Sequence, residues 1–456
     1  MTRRGSHAVV LGASLAGLAH AVPLAERFDR VTVVERDVLP DGPEQRRGVP
    51  QGRHIHLLVP GGVERLEQLL PGVLGEMSAR GAHVIHAPEW RLHMAGGRLN
   101  LTDADLRITG ATRPLIEGAV RDRVLALDGV ELLDGWVARD LAATDDRERV
   151  TGVRLRSVVA PDEQRTLAAD LVVDTTGRGS SSPRWLADLG YAPPQQERLT
   201  IDVHYTTRLF HRDPADLDGC RHVLVDPPPD EGRGGVALAV ERDRWLVTLV
   251  GMTGQRPPAD LGGFTDYAAG LWTGDLHGIV EGAEPVGDAS RGAFPAFSRH
   301  RYDRLRRLPE RYAVSGDAVC SFDPRFGQGM TVAITEALEL GRVLDRHGLD
   351  RVGQRLLSAA QPTVQDAWDL ATGSDLANPE VDGPRPLPWR LTNGYLQRLI
   401  PVAHHDPEVA ALLLRVIGLL ARPQELMHPR MAARVLRGSR RRGRPVESGA
   451  PVGSDA

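Results

Sequence analysis

The chain has 456 residues, 41% of them hydrophobic and 25% charged, with a formal net charge of −4. This length supports a large core and two or three domains, and the near-neutral balance argues against nucleic acid as a partner. All 56 residues of the Lys+Arg class are arginine, which excludes Schiff-base lysines, Walker-type lysines and Ser–Lys pairs.

The first element pair is the most informative. An apolar run, Ala8 to Leu11, feeds the turn Gly12-x-Ser14-x-x-Gly17, then an Ala- and Leu-rich helix, a second apolar run from Val31 to Val34, and Glu35. The pattern predicts strand, tight turn, helix and parallel strand ending in an acid, a dinucleotide-binding unit. Gly12 permits the turn and Gly17 lets helix and strand pack closely. The helix N-terminus, through Ser14, Leu15 and Ala16, offers N–H groups to a pyrophosphate, and Glu35 accepts from ribose hydroxyls. The acid points to an unphosphorylated ribose, as in FAD or NAD, while Arg36 leaves a small opening for a 2′-phosphate.

A Pro/Gly-rich basic loop follows over 40–56, then a helix over 62–70, short strands and turns over 83–108, and a helix over 113–127 carrying Arg113 and Arg121. Strands are expected over 130–156 and 171–174, the latter ending in a Thr-Thr-Gly turn. From 199 to 252 long alternation predicts an antiparallel sheet, a different domain from the first. A helix over 264–272, a strand at 312–319, a long helix over 330–346 and a helical last hundred residues complete the pattern. Asp406 to Arg422 is strongly apolar with Asp406 as its N-cap. Lacking a polybasic face, it reads as core or tunnel wall rather than a membrane-surface helix. The arginine-, glycine- and proline-rich end from Gly438 is expected to be disordered.

Cys220 and Cys320 have no CxxC partner, which points to a reducing, cytoplasmic compartment and away from structural zinc, so no metal site is expected. No apolar stretch reaches the roughly 18 residues of a transmembrane helix. The basic start is not read as a signal peptide, because its apolar run belongs to the nucleotide unit.

Two further segments carry chemistry. Arg47 to His54 could reach over a dinucleotide, with Arg53 as a pyrophosphate donor. Ser315-Gly316-Asp317-Ala318, then Pro324, then Gly327-Gln328-Gly329-Met330 put a carboxylate at a strand end and a glycine-rich helix start nearby. The first suits a polyol hydroxyl, the second an anion.

In this order, GASLAG, Glu35, the Arg113 helix, the SGDA turn and the GQGM helix start, the chain resembles the FAD-dependent monooxygenases of the p-hydroxybenzoate hydroxylase type (group A) over nearly its whole length. Within them, RRGVPQGRHIHLL, DLVVDTTGRGS and YTTRLF look like the flavin epoxidases of polyether antibiotic biosynthesis and their actinobacterial relatives. The resemblance implies an α/β (mixed α+β) fold with a Rossmann-like FAD-binding domain at 1–198, returning at 299–360. An antiparallel-sheet substrate domain would span 199–298, a helical region 361–437 and a disordered tail 438–456. It implies that Gly12, Ser14, Leu15, Ala16 and Gly17 hold the pyrophosphate and that Glu35, beside Arg36, holds the ribose. Arg53, Arg113 and Gly177 would contact the cofactor. Asp317 would bind the ribityl or pyrophosphate region, and Pro324, Gly327, Gln328, Gly329 and Met330 would face the isoalloxazine. Thr176 stands where family members often carry the Asp of an Asp-Gly pair, which leaves the pyridine-nucleotide step open.

The implied oxidoreductase takes electrons from NADPH or NADH, or from a separate flavin reductase. It forms a C4a-hydroperoxyflavin with O2 and transfers one oxygen to a hydrophobic natural product by epoxidation or hydroxylation. For hydroxylation, His204, Tyr205 and Arg208 on the sheet are the pocket candidates. The rival readings are an FAD-dependent dehydrogenase or isoprenoid reductase, and a non-catalytic binding protein on the same fold. A halogenase is disfavoured because its relay lysine is missing.

Overall fold

The computed structural model describes residues 3–442 except 103, 229 and 230. Its nucleotide unit forms as the sequence predicts: a strand Gly5–Leu11, a helix Leu15–Ala25 and a strand Phe28–Val34. Both strands are buried toward their C-terminal ends, as continuous Val/Leu runs in a covered parallel sheet must be. The sheet has five parallel strands, in the order Tyr312–Val314, Leu171–Asp174, Gly5–Leu11, Phe28–Val34 and Val130–Leu133. Leu11 pairs with Val34 on one side and, across more than a hundred positions, with Asp174 on the other, and Asp174 pairs as distantly with Val314. Helices Leu15–Ala25, Arg113–Leu125 and Gly329–His347 cover one face through a core that includes Leu18, Val22, Ile116, Val120, Ile334 and Leu340.

The alternating stretch becomes Gln196–His211, His222–Val225, Arg233–Val240 and Arg244–Gly251, joined by Pro285–His300 in an antiparallel array. This sheet has seven strands because Trp90–Met94 and Gly97–Arg98 extend it. Trp90–Met94 lies parallel to His222–Val225. The sheet thus recruits residues from well before position 199, an exchange that periodicity within either segment does not reveal. A separate three-stranded antiparallel sheet spans 136–168.

The C-terminal region is helical, with helices Val352–Asp375, Leu387–Ala403, Pro407–Ile417 and Pro429–Arg442. Asp406 caps its helix by accepting from the Glu408 and Val409 N–H groups. Val409, Ala410, Leu413, Leu414 and Val416 are buried beneath it, so that apolar segment is core. The last helix continues through Gly438 to Arg442, so the tail expected from 438 does not start there. Residues 443–456 lie outside the described chain. No helix among the described residues is long and apolar enough to cross a membrane, and both cysteines are free and buried.

Candidate cofactor and substrate cleft

At the C-terminal end of the parallel sheet the chain makes a left-handed turn at Gly12 (φ +101°), pinned by Gly12 N–H to Val34 carbonyl at 2.8 Å. A Cβ on Gly17 would lie 1.7 Å from the Gly12 carbonyl oxygen, so the close approach of helix to strand depends on glycine there. Thr175 closes the other side, its hydroxyl donating to the Leu11 carbonyl at 2.8 Å. Leu15 is buried in the core, Ala16 packs against the Gly316 turn, and Ser14 caps no N–H of its own helix.

Glu35 is buried one residue past its strand, accepting from Ala13 N–H at 2.8 Å and Asp37 N–H at 3.0 Å. Its ionic partner is Arg46, 3.2 Å away. Arg46 also bonds the Ala13 carbonyl and reaches Glu117 at 2.7 Å. Glu117 accepts from the Ser14 hydroxyl at 3.0 Å and pairs with Arg113 at 3.1 Å, and Arg113 donates to the Ser14 hydroxyl at 2.8 Å. Two acids and two arginines are therefore wired to the nucleotide turn. Burial alone would raise the Glu117 carboxyl, but Arg113 and Arg46 outweigh it and hold its pKa below the ordinary value. Thr112 anchors the helix start, donating to Glu241 on a turn of the large sheet at 2.6 Å.

Of the arginines named from sequence, Arg113 is built into this network. Arg53 stands exposed at the end of a short 3-10 turn, Pro50–Arg53, and Arg36 is exposed beside Glu35. Arg121 holds the Pro40 and Gly42 carbonyls instead. Arg46 and Glu117 were missed. The signal for Glu117 is its i,i+4 spacing from Arg113 on one helix; Arg46 opens the RRGVPQGRHIHLL run, but nothing local sets it apart from the other arginines there.

The second half of the cleft comes from the returning strand. Ser315 and Gly316 are tied to the buried Glu336, whose carboxylate accepts from the Ser315 hydroxyl and Gly316 N–H, each at 2.6 Å. This turn swings Asp317 toward Gly177, whose added Cβ would sit 4.0 Å from the Asp317 Cβ. Asp317 is open to solvent at the bottom of a cleft. Enough protein surrounds it that desolvation raises its pKa, against the pull of Arg178 and Arg113. The next loop is clamped: Arg325 pairs with Asp323 at 2.6 Å and with Asp375, leaving Pro324 exposed. Gly327 turns left-handed (φ +63°), and the helix begins at Gly329, where an added Cβ would come within 3.8 Å of the Asp317 carboxylate. Gln328 points away, donating to the Ile417 carbonyl at 2.8 Å while its buried Oε1 has no partner. Met330 is buried.

Asp174 and Thr176 are occupied elsewhere. The buried Asp174 carboxylate accepts from Thr176 N–H and from the Thr176 and Ser180 hydroxyls, and Ser182 also bonds it.

Above the cleft lies the large sheet, and the three sheet candidates divide. Tyr205 shares a face with Val203 and Thr207, toward the cleft. His204 pairs with Asp202 at 3.0 Å, and Arg208 donates to the Ala259 carbonyl at 2.6 Å, both off that face. Period-2 alternation separates 204 and 208 from 205. Tyr205 meets the His54 ring edge-on at 4.5 Å, and His54 bonds the Thr207 hydroxyl at 2.8 Å. Burial, reinforced by Arg53, pushes the His54 pKa down to about 4. Burial and then Arg113 push His56 to about 3, so both rings are neutral at physiological pH. Arg178 stacks on Phe294 at 4.7 Å, joining the Gly177 turn to the sheet. Beyond it sits an apolar cluster of Val203, Val250, Met252, Phe294, Phe297 and Leu376. Tyr205, Phe326, Trp368 and Trp389 line its partly buried edge, so six of the chain's twenty aromatic side chains gather here.

A βαβ unit with its acid, a second glycine turn and a glycine-rich helix start, all opening on one cleft beneath an antiparallel sheet, is the architecture of the p-hydroxybenzoate hydroxylase-like flavoproteins. Protein Rv3254 of Mycobacterium tuberculosis is 34% identical over 427 residues, covering 91% of this chain and 90% of that protein. The chain belongs to one family with Rv3254, and its fold is that of the FAD-dependent monooxygenases. Kynurenine 3-monooxygenase of Salinispora tropica is 27% identical over 402 residues, 82% of this chain and 80% of that enzyme. PqsL of Pseudomonas aeruginosa, described as a probable FAD-dependent monooxygenase, has the same fold. Its TM-score is 0.57 at 19% identity, covering 82% of this chain and 97% of that one. No family model matches the chain.

Proposed function

We propose that the protein binds FAD and inserts one atom of O2 into a hydrophobic natural-product substrate, by epoxidation or hydroxylation, with NADPH or NADH as electron donor. The observation that carries this reading is the convergence of the Gly12 turn, Glu35, Asp317 and the Gly329 helix start on one cleft under Tyr205. The residues present fit FAD: the helix Leu15–Ala25 starts with no side-chain cap on its N–H groups, Arg113 reaches Ser14 at that helix start, and the Asp317 carboxylate opens on the cleft.

In this reading the N–H groups at Ser14, Leu15 and Ala16, with Arg113, hold the pyrophosphate, and Glu35 holds the adenosine ribose. Asp317 accepts from the ribityl hydroxyls. The free N–H groups at Gly329 and Met330, at the positive end of a 19-residue helix, favour negative charge on the facing ring edge. Bound FAD supplies electron storage and O2 activation, which no side chain here provides. The aromatic and aliphatic cluster around Phe294 and Phe326 holds the substrate and excludes water, with Tyr205 and Arg178 as polar groups at its edge. Free buried cysteines suit a reducing, cytoplasmic setting.

The test is the visible spectrum of the purified protein in air, before and after NADPH, for wild type and Asp317→Ala. The proposal expects flavin bands in the wild type, NADPH consumption with hydrogen peroxide when substrate is absent, and reduced flavin retention in the folded variant. Flavin bleaching without any O2 uptake would assign the protein to the dehydrogenases. A protein that stays colourless after incubation with FAD overturns the reading.

A further inference from the structure

The C-terminal helices present a surface that the cleft does not explain. The helix Pro429–Arg442 reads PRMAARVLRGSRRR, six arginines and no acid. Its inner side is tightly docked: Val435 is buried, and Gly438 lies so near Val402 that an added Cβ would be 2.8 Å from it. Arg430, Ala433, Leu436 and Arg437 face outward. Arg434 is neutralised by Asp406 and Glu408. Arg430 and Arg437, and Arg390 and Arg398 on the neighbouring helix Leu387–Ala403, have no carboxylate partner among the described residues.

The same surface exposes large apolar side chains. Leu387 and Leu391 are 68% and 65% exposed, and Tyr395 continues their i,i+4 stripe. The Tyr395 hydroxyl donates to the Leu426 carbonyl at 2.6 Å, which brings the stripe to Met427, 52% exposed. Leu436, 46% exposed, lies on the basic helix itself. Three of the eight exposed large hydrophobics among the described residues therefore fall on two adjoining helices that also carry unpaired arginines, and a fourth, Met427, ends the short turn that leads into the second.

We propose that this face docks on an anionic lipid surface. Leu387, Leu391, Met427 and Leu436 enter the boundary between headgroups and acyl chains. Arg390, Arg398, Arg430 and Arg437 meet the headgroup phosphates. Lipid suits the surface better than nucleic acid, because a phosphate backbone satisfies arginines but leaves exposed leucines in water. The placement also fits the cleft. Trp389, between the two leucines, turns inward onto the apolar cluster and donates to the Gly373 carbonyl, so one helix touches the membrane and the pocket wall. That last link rests on the function proposed above; the docking does not.

The experiment is co-sedimentation of the full-length, flavin-loaded protein with vesicles of phosphatidylcholine alone or mixed with phosphatidylglycerol, at low and high salt. Wild type is expected to pellet with the anionic vesicles, less so at high salt, and to stay in solution with phosphatidylcholine alone. The double variants Arg430→Glu/Arg437→Glu and Leu387→Ser/Leu391→Ser should each weaken binding by about tenfold or more, since charge and apolar insertion act together. Flavin absorbance and melting temperature should be unchanged, because all four residues lie on the surface. No pelleting with anionic vesicles, equal pelleting with phosphatidylcholine alone, or variants that bind like wild type would overturn the proposal. So would tight binding to duplex DNA that the leucine changes leave intact.

Discussion

Glu336 offers a quantitative test of how the Asp317 turn is held. Burial raises its carboxyl from 4.5 to about 7, despite the donors it accepts from at Ser315 and Gly316. Below pH 4.5 the group is protonated in both folded and unfolded chains and costs nothing. As pH rises the unfolded chain releases its proton first, while the folded protein keeps it until about 7. Stability is therefore lost through this window, at about 1.4 kcal/mol per pH unit, or about 3 kcal/mol in all. Glu336→Gln retains an acceptor oxygen for both donors but cannot ionise. Urea melts of both proteins at pH 5 and pH 8 should show the variant gaining on wild type by about 2–3 kcal/mol at the higher pH. A stability difference independent of pH, or wild type gaining as pH rises, would refute the reasoning and mean that the two donors stabilise the carboxylate more than burial penalises it.

The close approach at Gly17 predicts that Gly17→Ala, whose methyl would collide with the Gly12 carbonyl, costs about 3 kcal/mol or more; a variant melting like wild type would show that helix and strand have room to part. Arg46→Met leaves the buried Glu35 without its ionic partner and Glu117 with Arg113 alone, and should cost about 3–5 kcal/mol and weaken flavin retention. Calorimetry and flavin content after gel filtration check both effects, and unchanged values would remove Arg46 from the nucleotide turn's support.

What the chain reveals locally, it reveals well. Alternation and apolar runs locate the first strands, the glycine turn and the acid. The GQGM helix start announces itself because only glycine suits a left-handed Gly327 followed by an open helix end. These features depend on neighbours in sequence, which is why spacing alone determines them. Tertiary structure decided the rest. Arg46 looks like any arginine of a solvated loop until the fold closes it against Glu35 and Glu117. Glu336 is one acid in a long helix until Gly316 lands on it. His204 and Tyr205 are adjacent in sequence, and only the sheet's docking determines which of them meets the cleft. The strands at 90–98 join the large sheet by pairing with residues over a hundred positions away. The sequence by itself determined a dinucleotide unit and its acid, because local backbone geometry demands particular residues. Which charges are buried together, and which face meets the cleft, emerged only when distant segments packed, because desolvation and pairing are properties of the assembled surroundings.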